Sequence, residues 1–107
     1  MNGYRSKMIE FSIIISCYNS EDTITSALNS IVNLNYDFSK IEIIIINDGS
    51  TDKTLILIEQ FIEENRKVQV FAVNQKNKGL SFSRNLGILN SNKSYLLFLD
   101  SDDQLNS

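Results

Sequence analysis

A chain of 107 residues that is 42% apolar with a net charge of −3 has the size and composition of one folded domain or part of one. Its slight acidity argues against a nucleic-acid footprint, and no window approaches the roughly 20 apolar residues of a membrane span. Histidine is absent and Cys17 is the only cysteine, which excludes His-based general bases, HExxH zinc sites and an intrachain disulfide within this chain.

Residues 1–10 read as an N-terminal extension without the apolar stretch of a secretory signal. With the lone cysteine, this points to a reducing compartment, cytoplasmic and at most peripheral at the inner face of the membrane. Phe11 to Cys17 (FSIIISC) is an apolar, β-branched run of strand length. Ser20 follows as the expected N-cap of an amphipathic helix, with Ile24, Ala27, Leu28 and Ile31 at i, i+3, i+4 and i+7. Ile41 to Asn47 is a second buried-strand run ending in DGST. From Thr51 the helical period resumes through Leu55, Ile58 and Ile62, with Glu59, Glu63 and Glu64 outside. Val68 to Val73 is a third strand. The polar turn NQKNKG then leads to a third helix over about Leu80 to Leu89, with Phe82, Leu86 and Leu89 on one face. Tyr95 to Leu99 reads as a fourth strand buried on both faces, and three carboxylates follow it within four positions.

The order βαβαβαβ with short connections predicts an α/β fold, a Rossmann-like parallel sheet with helices on both faces. All strand C-termini of such a sheet lie on one edge, where ligands bind in open α/β folds. Four segments meet there: Ser16-Cys17-Tyr18-Asn19, Asn47-Asp48-Gly49-Ser50, the Asn77-Lys78-Gly79 turn with Arg84 beyond it, and Asp100-Ser101-Asp102-Asp103. Each has an ordinary alternative: Tyr18 as a core-edge aromatic, Asp48 as a turn acid, Arg84 as a solvated charge. Their convergence favours a site that stacks a base, accepts hydrogen bonds from a base or ribose, and holds a cation against phosphates.

Asp100 and Asp102 are two apart, so in extended chain their carboxylates point to one side. Carboxylates about 4 to 6 Å apart repel unless a cation lies between them. Hard oxygen ligands select Mg²⁺ or Mn²⁺, and a cation on one or two carboxylates is completed by substrate phosphates. The acids therefore imply a divalent metal and an anionic ligand.

In order and spacing, SIIISCYN, IIIINDGSTDKT, NKGLSFSRNLGI and YLLFLDSDD resemble the inverting family 2 glycosyltransferases of the GT-A fold, from about Phe11 to Asp103. The resemblance implies the N-terminal half of a GT-A fold that binds a nucleotide-diphosphate sugar, most often a UDP-sugar. The reaction implied is transfer to an acceptor hydroxyl in cell-surface polysaccharide or glycoconjugate synthesis. It implies a nucleotide-sugar site made of Ser16, Tyr18, Asn19, Asp48, Gly49, Arg84 and Asp100. Within that site Tyr18 lies beside the base, Asp48 contacts the base, Arg84 lies near base and phosphates, and Asp100 meets the ribose. Asp102 matches the metal ligand of the D-x-D motif, with Asp100 or Asp103 as a second ligand. Ser16 departs from the family, many of whose members carry Pro there.

Family members are more than twice this length, and their second half supplies the saccharide or lipid-linked acceptor site and the acceptor-activating carboxylate. The resemblance therefore implies that the chain binds the donor and lacks the catalytic base, while the full-length parent is the transferase. The open edge of the fourth strand is then expected to promote self-association as a dimer. Two competing classes are a non-catalytic nucleotide-binding or assembly module and a receiver-type phosphoacceptor domain. The latter needs an acid pair directly after the first strand, whereas Glu21 and Asp22 lie four residues beyond it.

Overall fold

The computed structural model describes residues 9–101. Four strands, β1 (Phe11–Cys17), β2 (Ile41–Asp48), β3 (Gln69–Gln75) and β4 (Tyr95–Asp100), alternate with α1 (Ile24–Val32), α2 (Thr54–Glu64) and α3 (Leu80–Asn90). The sheet is parallel throughout in the order β3-β2-β1-β4. Its register aligns Ile13 with Ile43 and Leu97, and Ser16 with Ile46 and Asp100.

The isoleucine runs explain the layering, because successive strand side chains point to opposite faces. Ile13, Ile15, Ile43 and Ile45 bury one face under Ile24, Leu28 and Ile31 of α1 and Ile58 and Phe61 of α2. Ile14, Ile44 and Ile46 bury the other against Leu86 of α3. Helices thus cover both faces, and β2 is buried along its whole length.

Element boundaries differ from the sequence expectation where side chains hold turns. Ser20 does not cap α1: its carbonyl accepts from the Thr23 and Ile24 N–H groups in a turn, and the helix begins at Ile24. Asp52 accepts from the Thr54 N–H at 2.9 Å, which holds 51–53 as a turn and starts α2 at Thr54. Strand β3 runs on to Gln75 because β2 continues to Asp48, its partner.

Two faces were misassigned by the apolar pattern. The inward face of α3 carries Ser83, Leu86 and Gly87, while Phe82 and Leu89 are 49% and 82% exposed. The helix lies so close to the sheet that a Cβ on Gly87 would stand 2.3 Å from Ile14 Cγ2. Strand β4 is an edge strand, bonded only to β1 among the described residues. Tyr95 to Phe98 are therefore 37–56% exposed and only Leu99 is buried. That apolar edge is the surface through which the self-association expected from the sequence would run. Among the described residues, no helix is long and apolar enough to cross a membrane.

Candidate functional site

The loops after β1 and β2 are fastened to each other by reciprocal side-chain-to-backbone bonds. Asn19 Oδ1 accepts from the Thr51 N–H at 2.8 Å, and the Asn19 N–H donates to Ser50 Oγ at 2.9 Å. The Ser20 N–H donates to Thr54 Oγ1 at 2.7 Å, and the Lys53 N–H to Glu21 Oε1 at 3.0 Å. Asn19 achieves this with φ +48°, a left-handed conformation that Asn tolerates. Asp52 is pushed upward in pKa by partial burial, but bonds from Thr54 and from the Glu21 N–H outweigh that and hold it below the usual carboxylate range.

Asp48 closes the end of β2 and is 6% exposed. Its Oδ1 accepts from the Lys78 N–H (2.6 Å) and Gln75 Nε2 (2.9 Å), and its Oδ2 from the Gly79 N–H (2.8 Å). Burial alone would raise its pKa. The Lys78 and Gly79 N–H bonds, the Gln75 amide and the Lys78 charge together hold it below the usual range, so Asp48 is an anion at neutral pH. Gly49 follows with φ +77°, and a Cβ there would sit 2.9 Å from the Asn77 backbone nitrogen. Only glycine lets β2 end so close to the turn before α3.

Among the described residues, two clefts open over these strand ends. One, of about 130 Å³, is lined by Ser16, Cys17, Tyr18, Asp48 and Ser83. The other, of about 470 Å³, is lined by Ser16, Asn19, Ser20, Asp22, Thr23, Asp100 and Ser101. Ser16 borders both, so they lie side by side across the end of β1. Tyr18 is half exposed at the first cleft. Burial, and then the negative fields of Asp52 and Asp48, push the Cys17 thiol up to about 12; Sγ donates to the Ile46 carbonyl oxygen and is no nucleophile.

At the rim, Arg84 of α3 lies 3.9 Å from Asp100 of β4, and its guanidinium carbon is 5.6 Å from the centre of the Phe98 ring. Both charged groups are about half exposed, so this is a loose, solvent-screened pairing. Ser101 and Ser20 share a 2.7 Å hydroxyl–hydroxyl hydrogen bond that ties the turn after β4 to the loop after β1.

Of the residues expected from the sequence, Ser16, Tyr18 and Asp48 border the first cleft, and Ser16, Asn19 and Asp100 the second. Arg84 reaches Asp100 but lines neither cleft, and Gly49 shapes the turn. Asp102 and Asp103, expected as metal ligands, lie outside the described residues, and among the described residues no three acids or thiols cluster as a metal site. Gln75, Ser83 and Ser20 were missed. For Ser83 the visible signal was a polar residue on the inward face of α3; Ser20 lies in a loop and Gln75 at a strand end, where the sequence pattern gives no such signal.

The strand order removes one competing class, because a receiver-type sheet runs 2-1-3-4-5 and this one runs 3-2-1-4. The chain is 35% identical over 100 residues to the poly(ribitol-phosphate) β-N-acetylglucosaminyltransferase TarS of Staphylococcus aureus, covering 92% of this chain and 17% of that protein. It therefore spans about a sixth of that relative's length. The crystal structure of S. aureus TarS 1–349 in complex with UDP-GlcNAc superposes with a TM-score of 0.80 at 33% identity, over 92% of this chain and 28% of that one. A mannosyltransferase from Pyrobaculum calidifontis, in complex with GDP-Man and Mn²⁺, shares the fold: TM-score 0.90, 18% identity, 95% of this chain and 30% of that one. The sequence profile of Glycosyl transferase family 2 matches residues 12–107, and this chain belongs to that family.

Proposed function

We propose that this chain is the donor-binding part of a glycosyltransferase, taking a nucleoside-diphosphate sugar, specifically a UDP-sugar. The observation that carries this reading is the pair of adjoining clefts at the strand ends, with an aromatic ring and a buried anion at one and an accessible carboxylate at the other. The likeness to TarS, solved with UDP-GlcNAc, supports it.

In this reading the half-exposed Tyr18 ring stacks on the base while the ionised Asp48 accepts from a base N–H. Asn19 and Gly49 hold the two loops in the shape that receives the nucleotide. Ser16 lies where base and ribose meet, and Asp100 accepts from a ribose hydroxyl. Arg84, loosely paired with Asp100 at the rim, is placed to meet the diphosphate in this reading.

A divalent cation fits this donor set. Asp100 offers half-exposed oxygens at the rim of the larger cleft, and the buried Cys17 thiol does not compete as a soft ligand. Asp102, with Asp100 or Asp103 as a second ligand, would hold it. When bound, a Mg²⁺ or Mn²⁺ ion neutralises charge on the departing nucleoside diphosphate. Inverting transfer to an acceptor hydroxyl of a cell-surface polysaccharide or glycoconjugate, at the cytoplasmic side of the membrane, is proposed for the whole enzyme. Acceptor activation falls to residues outside this chain.

Titration calorimetry of UDP into the chain, with and without Mn²⁺, tests the proposal. Binding that requires the metal is expected; absence of binding in both titrations overturns the reading.

A further inference from the structure

A second tier of contacts stands behind Asp48. Gln75, at the end of β3, donates through Nε2 both to Asp48 Oδ1 (2.9 Å) and to Ser83 Oγ on α3 (2.7 Å). Ser83 is 1% exposed, gives its own proton to the Gly79 carbonyl oxygen (3.0 Å), and lines the smaller cleft beside Ser16, Tyr18 and Asp48. Gln75 Oε1 is buried without a hydrogen-bond partner among the described residues.

That orphan oxygen is informative. A methionine of similar length would fill the space without burying an unsatisfied carbonyl, so packing alone does not account for glutamine here. What glutamine supplies is one Nε2 group that binds a carboxylate and a hydroxyl together. With the amide turned over, Oε1 would face the Asp48 anion.

A carboxylate has about four acceptor positions. The Lys78 N–H, the Gly79 N–H and Gln75 Nε2 fill three, two on Oδ1 and one on Oδ2. Among the described residues the position left is on Oδ2, in a residue that borders the cleft. An ionised carboxylate only accepts hydrogen bonds. A ring N–H, as at N3 of uracil, satisfies it, whereas the ring-nitrogen lone pair at the same place in cytosine is repelled, so cytosine must shift to offer its exocyclic amine instead. Without Gln75, Oδ1 also has a vacant acceptor position and the carboxylate can tilt.

We propose that Gln75 and Ser83 are positioning residues that set nucleobase selectivity, by holding the Asp48 carboxylate so that a base with a ring N–H is accepted and one with a ring-nitrogen acceptor is refused. The proposal rests on the reading of the cleft as a nucleotide site.

Affinities of UDP and CDP, each with Mn²⁺, measured for the unaltered chain, Gln75→Met and Ser83→Ala, test it. The unaltered chain favours UDP over CDP. Each variant retains its circular dichroism spectrum and narrows that preference roughly tenfold, the scale of one hydrogen bond. A purely structural role would weaken both nucleotides equally. Equal weakening, an unchanged UDP:CDP ratio in both variants, or no preference in the unaltered chain overturns the inference while leaving the nucleotide reading intact. An unaltered chain that binds neither nucleotide overturns that reading, and the inference with it. If Gln75→Met does not fold, Ser83→Ala decides the matter, since it removes a small group without adding bulk.

Discussion

Asp48 Oδ2 accepts the backbone N–H of Gly79 at 2.8 Å, so the last residue of β2 fastens the turn from which α3 departs. With the Lys78 N–H bonded to Oδ1, two consecutive amides of that turn depend on one carboxylate. Asp48→Asn offers one acceptor oxygen where two are needed and turns its amide N–H₂ toward a backbone donor. The expected loss is about 2–3 kcal/mol in urea unfolding, together with loss of UDP binding. A loss below about 0.5 kcal/mol would show that the turn does not depend on the charge.

The same contacts set a pH dependence. Burial works to raise the Asp48 pKa, but the Lys78 and Gly79 N–H groups, Gln75 and the Lys78 charge bring it below the ordinary value of about 3.9. A depressed folded pKa stabilises the fold fully above the unfolded value, and the contribution is lost as pH falls through the folded one. Stability of the unaltered chain should therefore fall below about pH 4, and Asp48→Asn should fall less steeply. Asp37, lowered by its bonds from Ser39, and Asp52 retain a residual slope in the variant. Identical acid limbs for both proteins would contradict the assignment.

The fold was legible because the isoleucine runs at 13–15 and 43–46 have only one comfortable place, the middle of a doubly covered sheet. The strand ends followed from topology, which is why Ser16, Tyr18, Asp48 and Asp100 could be named as one edge. What the sequence hid were contacts to distant partners. Glu42 interrupts an apolar strand and is 1% exposed, yet it accepts from Ser12 Oγ (2.5 Å) and the Asn92 N–H (2.6 Å), residues 30 and 50 positions away. Asparagines near helix ends likewise bond within the chain: Asn65 donates to the Phe61 carbonyl and Asn90 to that of Leu86. The face of α3 was misread because Phe82 and Leu89 repeat at helical spacing as convincingly as the small residues that do the packing. Apolar periodicity shows that a helix has a stripe, and close approach decides which stripe faces in.

That close approach makes Gly87 and Ile14 a coupled pair. Gly87→Ala drives a methyl group into Ile14 Cγ2 and is expected to cost about 1–3 kcal/mol. Ile14→Ala alone leaves a cavity and costs about 2–5 kcal/mol. The double variant should lose clearly less than the sum, because the new methyl group enters the space the isoleucine leaves. Additive losses in thermal or urea unfolding would contradict this packing.

Cys17 should be silent to thiol reagents in the folded chain. Its Sγ is 3.6 Å from the Ile46 carbonyl oxygen, and burial pushes the thiol to about 12, leaving roughly one part in ten thousand as thiolate at pH 8. A chromogenic disulfide reagent is expected to react only after denaturant is added. Rapid labelling of the native chain would show that β1 opens at this end.

Arg84 should matter to ligand and little to stability. Its 3.9 Å pairing with Asp100 is half exposed, so Arg84→Ala is expected to change unfolding free energy by less than about 1 kcal/mol. The same substitution should weaken UDP binding at least about tenfold if the guanidinium reaches the diphosphate. Unchanged affinity would remove Arg84 from the site.

A nucleotide bound in the clefts at the strand ends is located directly by amide chemical shifts. When UDP and Mg²⁺ are titrated into isotopically labelled chain, the largest shifts are expected at Tyr18, Gly49, Gly79, Ser83 and Asp100. Shifts confined to the opposite end of the molecule, around Phe38, Asn65 and Val68, or no shifts at all, would contradict the account.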